Sequence, residues 1–173
     1  SGAASDVAGN TASAGVTGIN LDKTPPAVVW IGNAGTYTVD QTVSISCAAT
    51  DALSGVASTT CQDVSGPAYG FPLGARTFSA EAVDFAGNTG SGAATISVIV
   101  TAPSLAILTS RFVTDSAIAN SLNVKLDGYL RLLDRPSRLN ILNGYKYELE
   151  AQISRVVSAQ DALVLLALAS ALP

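Results

Sequence analysis

Residues 75–100 read ARTFSAEAVDFAGNTGSGAATISVIV, and two alternating runs flank a single turn within that stretch. Phe78, Ala80 and Ala82 share one face of the first run by the two-residue period of a strand, and Ile96, Val98 and Val100 share one face of the second. Between them DFAGNTGSG gathers the Gly, Asn, Asp and Ser that punctuate strands. The same turn occurs earlier: ASDVAGNT at 4–11 returns as AVDFAGNT at 82–89, displaced by 78 residues. A small-residue stretch and a short alternating run follow each copy, Ile19 and Leu21 in the first, with a one-residue slip in register past the shared loop. A period near 80 residues is the size of one small β-sandwich. Residues 1–22 therefore read as the last hairpin of a preceding repeat, and the chain as cut from a longer protein.

Working outward, Ala27–Ile31 predicts a strand opened by the rigid pair Pro25-Pro26. TVSISCAAT (42–50) sets Val43, Ile45 and Cys47 on one face, and a short strand near 58–62 carries Cys61. Turns fall at GNAGT, DALSG and SGPAYGFPLG. Six or seven short strands over 23–102 predict an all-β, immunoglobulin-like sandwich. Beyond Pro103 the period changes. Residues 1–103 hold 13 of the 15 Gly, whereas 104–173 are rich in Leu and Ala and read as four helices near 104–113, 116–133, 137–155 and 158 onward. The last is apolar almost all round, which predicts the most buried helix. The expected organisation is two domains, a sandwich over 23–102 and a small all-α bundle over 103–173.

Composition excludes several functions. The net charge is −4 with the basic residues scattered, which argues against a nucleic-acid surface. The longest nearly unbroken apolar stretch, Ala162–Leu172, is too short to span a bilayer of roughly 30 Å. There is no His, so a catalytic Cys or Ser would lack its usual base. Glu148 and Glu150 point to different faces of a helix, and no Gly-rich phosphate loop or Ser elbow occurs; the chain reads as non-enzymatic.

Cys47 and Cys61 are the only cysteines, with 13 residues between them. Low Lys content and Gly/Ser/Thr-rich strands favour a secreted chain and a disulfide over two buried thiols. Closing such a loop contributes about 3 kcal/mol in the chain-entropy picture. The loop after the second strand and the loop before the last share a pole with the incoming linker, so Asp22, Asp51, Asp84 and Asn88 converge there. Two readings stand side by side. The oxygens hold a calcium ion that stiffens a string of repeats, or the aspartates cap tight turns. Among the aromatics, Trp30 reads as core, and Tyr69 and Phe71, in a Gly/Pro loop, are the exposed candidates for stacking on a sugar.

The segment DKTPPAVVW…CAATDALSGVASTTC…LGARTFSAEAVDFAGNTGS resembles the immunoglobulin-like repeats of secreted and surface-exposed bacterial proteins, over about 4–102. NSLNVKLDGYLRLLD (120–134), LNILNGYKYELEAQIS (139–154) and SAQDALVLLALASAL (158–172) resemble the FIMAH module, a helical domain at the extreme C-terminus of such proteins. These resemblances imply an extracellular or cell-surface stalk with a terminal interaction module, partnered by a preceding repeat and upstream domains of the same polypeptide. The alternative they leave open is an accessory module of a secreted hydrolase, binding polysaccharide or a cell-surface component.

Overall fold

The computed structural model describes residues 1–16, 18 and 21–173; the Ile19 end of the first alternating run lies outside the described residues. A hairpin of β1 (Gly2–Ser5) and β2 (Thr11–Ala14) comes first and pairs only with itself. Two further sheets follow. One has the order β3 (Ala27–Ile31), β5 (Thr42–Thr50), β7 (Val64–Pro67). The other runs β4 (Thr36–Thr38), β9 (Thr89–Ile99), β8 (Gly74–Asp84), β6 (Val56–Thr59). The helices are α1 (Ala102–Phe112), α2 (Ser116–Arg131), α3 (Arg135–Ala151) and α4 (Ala159–Ser170).

The alternation in 75–100 becomes the long β8–β9 hairpin, with Ala80, Ala82, Ala94, Ile96 and Val98 turned inward. Against them β5 supplies Val43 and Ile45. Gly90 and Gly92 let β3 approach β9 closely. A Cβ on Gly90 would fall on the Pro26 carbonyl oxygen, and one on Gly92 would lie 2.5 Å from the Val28 carbonyl oxygen.

Each helix starts on a side-chain cap that accepts otherwise unpartnered first-turn N–H groups. Thr101 and Ser104 cap each other at α1, Asp115 caps α2, Asp134 caps α3, and Ser158 caps α4 with Asp161 bonded back to it. Pro136 falls in the first turn of α3, where its missing N–H costs nothing.

The expected fold class, an all-β immunoglobulin-like sandwich with a separate all-α bundle, is corrected on two counts. The strands form three sheets, and the four-stranded one is mixed, because β4 runs parallel to β9. The helices also close no core of their own. One cluster of buried side chains runs from Tyr37, Val43, Ile45 and Val98 through Ala102 and Leu105 into Leu126, Leu149 and Leu165. The reason lies at the joint. Helix α1 starts at Ala102, directly after β9 ends at Ile99, so it is laid along the end of the sheets. Tyr69 meets Phe112 of α1 edge-on at 5.3 Å, and the Arg111 guanidinium donates to the Asp40 carbonyl at 3.3 Å.

That placement also moves the helical centre. Helix α1 buries Ala102, Ser104, Leu105, Leu108 and Thr109, whereas α4, expected to be the most buried, leaves Leu163 66% exposed. Each fully buried Leu contributes roughly 1.5–3 kcal/mol of apolar transfer. The Thr109 and Tyr145 hydroxyls meet at 2.7 Å and tie α1 to α3. Burial pushes the Tyr145 phenol up to about 12, with the Thr109 hydrogen bond acting the other way.

Candidate metal centre

Three chain segments meet at one end of the sheets. The first is the linker into β3, which carries Asp22 and the stiff Pro25-Pro26. The second is the turn DALSG between β5 and β6. Asp51 opens it, and its Oδ1 accepts from the backbone N–H groups of Leu53, Ser54 and Gly55 at 3.1, 2.9 and 2.8 Å. One oxygen therefore organises the turn, as an Asp that caps a turn does.

The third segment is the loop joining β8 to β9. The Asp84 carboxylate accepts from the Asn88 backbone N–H and from the Asn88 side-chain amide, both at 2.7 Å, while Asp84 N–H donates to Asn88 O at 3.0 Å. Gly87 turns the chain at φ 88°, a conformation a Cβ disfavours.

Direct bonds lock these segments together. Asp22 Oδ1 accepts from Thr24 N–H at 2.8 Å and its Oδ2 from Ser54 N–H at 3.1 Å, clipping the linker to the DALSG turn. The Asn88 amide also donates to the Asp22 carbonyl at 3.3 Å, and Phe85 N–H donates to Gly55 O at 3.1 Å. As a result Asp22, Asp51 and Asp84 each bring a carboxylate oxygen to within 4.8 Å of the others. Asp84 is 2% exposed, and the other two are half-buried.

The electrostatics are unbalanced. Among the described residues the one salt bridge joins Lys125 to Glu148 on the helices, so none pairs with the three aspartates. Hydrogen bonds hold them instead. The Asp22 carboxyl is held below its ordinary value by the Ser54 hydrogen bond and then by Thr24. Burial pushes Asp84 up, but the bonds from Asn88 outweigh it and leave the group lowered, with the Asp22 charge opposing. Asp22 and Asp84 are therefore held in their ionised form.

Three carboxylate oxygens this close could serve a hard divalent cation, and for Ca²⁺, which takes six to eight oxygens at roughly 2.3–2.6 Å, they would supply only part of the shell. Asn88 turns its amide nitrogen to Asp84 and Asp22, so in this arrangement it clamps the loop and does not offer an oxygen. The backbone N–H of Ser54, which joins two of the aspartates, was not singled out in the sequence. Its signal was the D-x-x-S-G spacing, in which the fourth residue returns to the first.

The disulfide Cys47–Cys61 is formed. Cys61 lies just past β6, in the connection to β7, so the bridge ties strand β5 to a crossing loop; the strand read at 58–62 sits instead at Val56–Thr59. Tyr69 and Phe71 are both half-buried and engaged in packing. Tyr69 lies against Phe112, and Phe71 lies edge-on to Phe78 at 6.5 Å. On the helices Glu148 is paired with Lys125, and Glu150 lies on the exposed side of α3. No helix among the described residues is long and apolar enough to cross a membrane.

No protein family, curated protein or solved structure matches the chain.

Proposed function

We propose that the chain is a non-catalytic stalk and terminal module of a larger secreted or surface-attached bacterial protein, stiffened at its inter-repeat linker by a calcium ion held by Asp22, Asp51 and Asp84. The observation that carries this reading is that the Asp–Asn hairpin loop is built twice and closed onto a linker once. Around Asp6, Asn10 N–H and the Asn10 amide each donate to the carboxylate at 2.8 Å, Asp6 N–H donates to Asn10 O at 3.0 Å, and Gly9 sits at φ 85°. This is the Asp84–Asn88 loop repeated, down to the strand register: Ser5 pairs with Thr11 as Val83 pairs with Thr89.

Such duplication suits a string of repeats in which each linker docks on the hairpin loop of the unit that follows it. A linker aspartate, a turn aspartate and a hairpin aspartate then make one junction per repeat. A cation between them would fix the angle of entry, which a stalk needs and an enzyme does not. The disulfide supports a place outside the reducing cytosol. The helices, which share the core of the sheets, serve as the terminal piece.

The test is a thermal melt of residues 1–173 in millimolar calcium and again in chelator. A ligand that binds only the folded state raises the midpoint as its concentration rises. The expected result is a higher midpoint in calcium, absent in the Asp22→Asn variant. Equal midpoints in both buffers would leave turn-capping as the whole role of these aspartates.

A further inference from the structure

The corner where α2 turns into α3 reads LRLLDRPSRL over residues 130–139. Leucine and arginine interleave there, and both kinds of side chain reach the surface. Leu130 is 51% exposed, Leu133 94% and Leu139 50%. Arg131 and Arg135 are exposed beside them. A leucine alone on a surface needs no explanation, but three within ten residues, set among cations, call for one.

The corner is held in place by its own bonds. Asp134 caps α3 and accepts from the Ser137 N–H at 2.8 Å. The Arg138 Nε–H donates to the Leu132 carbonyl at 2.8 Å, and its guanidinium lies 5.1 Å from the centroid of the Tyr129 ring. Both neighbours of Leu133 are thus tied down, and the turn itself directs the Leu133 side chain outward. The inward positions at this end of the helices are already taken by Tyr129 and Leu142, both buried. Just behind them α2 and α3 touch so closely that a Cβ on Gly128 would lie 2.5 Å from the Ile141 side chain. No room is left in the core for the outer leucines.

Charge narrows the partner. Three arginines stand against one aspartate in these ten residues, and the Asp134 carboxylate is engaged in capping α3. Asp127, one turn back on α2, is the next acid along the chain. With a net charge of −4 the chain as a whole does not draw in a polyanion, so attraction has to be local. A two-fold dimer through the corner would set arginine against arginine. A soluble polyanion would engage the guanidiniums and leave the leucines in water. An anionic lipid boundary satisfies both, because leucines enter the edge of the acyl layer while arginines stay with the headgroup phosphates.

We propose that the α2–α3 corner rests on an anionic lipid surface, with Leu133 entering between headgroups and Arg131 and Arg135 on their phosphates. Arg138 holds the corner in shape. The chain lies on the bilayer by this contact and does not cross it. This goes beyond the stalk reading and does not depend on the cation.

The experiment sediments the full chain, in chelator, with phosphatidylcholine vesicles and with vesicles of equal parts phosphatidylcholine and phosphatidylglycerol. The expected result is binding to the phosphatidylglycerol vesicles alone, weakened by added salt. Affinity should fall about tenfold or more in the double variant Arg131→Gln, Arg135→Gln and about threefold or more in Leu133→Ser. These positions are exposed, so the far-ultraviolet dichroism of the variants should stay as wild type. Three results would overturn the proposal: no sedimentation with phosphatidylglycerol vesicles, equal sedimentation with phosphatidylcholine, or undiminished binding in either variant. Undiminished binding in Leu133→Ser would mean attraction to a polyanion without insertion. Because chelator is present throughout, a failure here leaves the calcium melts untouched, and the reverse also holds.

Discussion

The hairpin β1–β2 and the hairpin β8–β9 carry the same loop in two different settings. Both loops close by the same Asp–Asn bonds with distances agreeing within 0.1 Å, and both turn on a Gly at positive φ. Yet every residue of β1 and β2 is exposed, while β8 and β9 bury Ala80, Ala82, Asp84, Ala94, Ile96 and Val98. Loop geometry is therefore a local property, written in eight residues. Site geometry is tertiary: Asp84 meets Asp22 and Asp51 only because β3 and β5 bring their ends to it, and Asp6 has no such neighbours among the described residues. The comparison also sharpens at the strands. The register that sets Gly90 opposite Ala82 sets Ala12 opposite Ala4, and Gly92 corresponds in the same way to Ala14. The first hairpin thus carries methyl groups where the second admits a neighbouring strand.

That difference predicts the largest effect. Gly90→Ala must push β3 away from β9 and is expected to cost about 3 kcal/mol. Ala12→Gly, in the exposed hairpin, should cost no more than about 1 kcal/mol. Denaturant unfolding measures both, and equal costs would mean that the two hairpins are equivalent after all. The clamp comes next. Asn88→Ala removes the side-chain bonds to the Asp84 carboxylate and to the Asp22 carbonyl and should cost about 1–3 kcal/mol by leaving a buried carboxylate one donor short. Asn10→Ala breaks the one side-chain bond to the exposed Asp6 and should leave the melt within about 0.5 kcal/mol of wild type.

Acid gives a smaller and graded effect. The Asp22 and Asp84 carboxyls lie below the ordinary value of 3.8 in the folded chain. The stability they add is thus fully present above that value and is lost as pH falls through their lower folded values. Melts should therefore begin to drop only below about pH 4. Asp6 is lowered too, by its bonds from Asn10. Its protonation should loosen only its own hairpin, so Asp6→Asn should melt along the wild-type acid limb and Asp84→Asn should not. Coincident limbs for both variants would place the acid sensitivity elsewhere.

Much of this was legible in sequence, and the limits have physical causes. Alternation over 27–31, 42–50 and 75–84 fixed those strands because one face of each is less exposed than the other, half-buried in the first and buried over part of the other two. β4 and β7 escaped because Thr36–Thr38 is too short to alternate and Val64–Pro67 ends in Gly66-Pro67, which reads as turn. That β4 runs parallel to β9 could not be read, since the alternation of side chains is the same in either direction. Nor could the shared core. Leu105 and Leu108 look like one stripe of an ordinary bundle helix, and nothing in their spacing says that sheet side chains join the same cluster. At the site, the convergence of Asp22, Asp51 and Asp84 followed from turn residues at the ends of strands. The outward turn of Leu133 did not, because it depends on α2 ending at Arg131.

The most direct test is calorimetric titration of calcium into the full chain, its Asp22→Asn variant and its Asp6→Asn variant. One site is expected in the wild type and in Asp6→Asn, and an affinity at least tenfold weaker in Asp22→Asn. Absence of binding to the wild type, or equal loss in both variants, would contradict the claim that the duplicated loop becomes a site only where a linker closes on it.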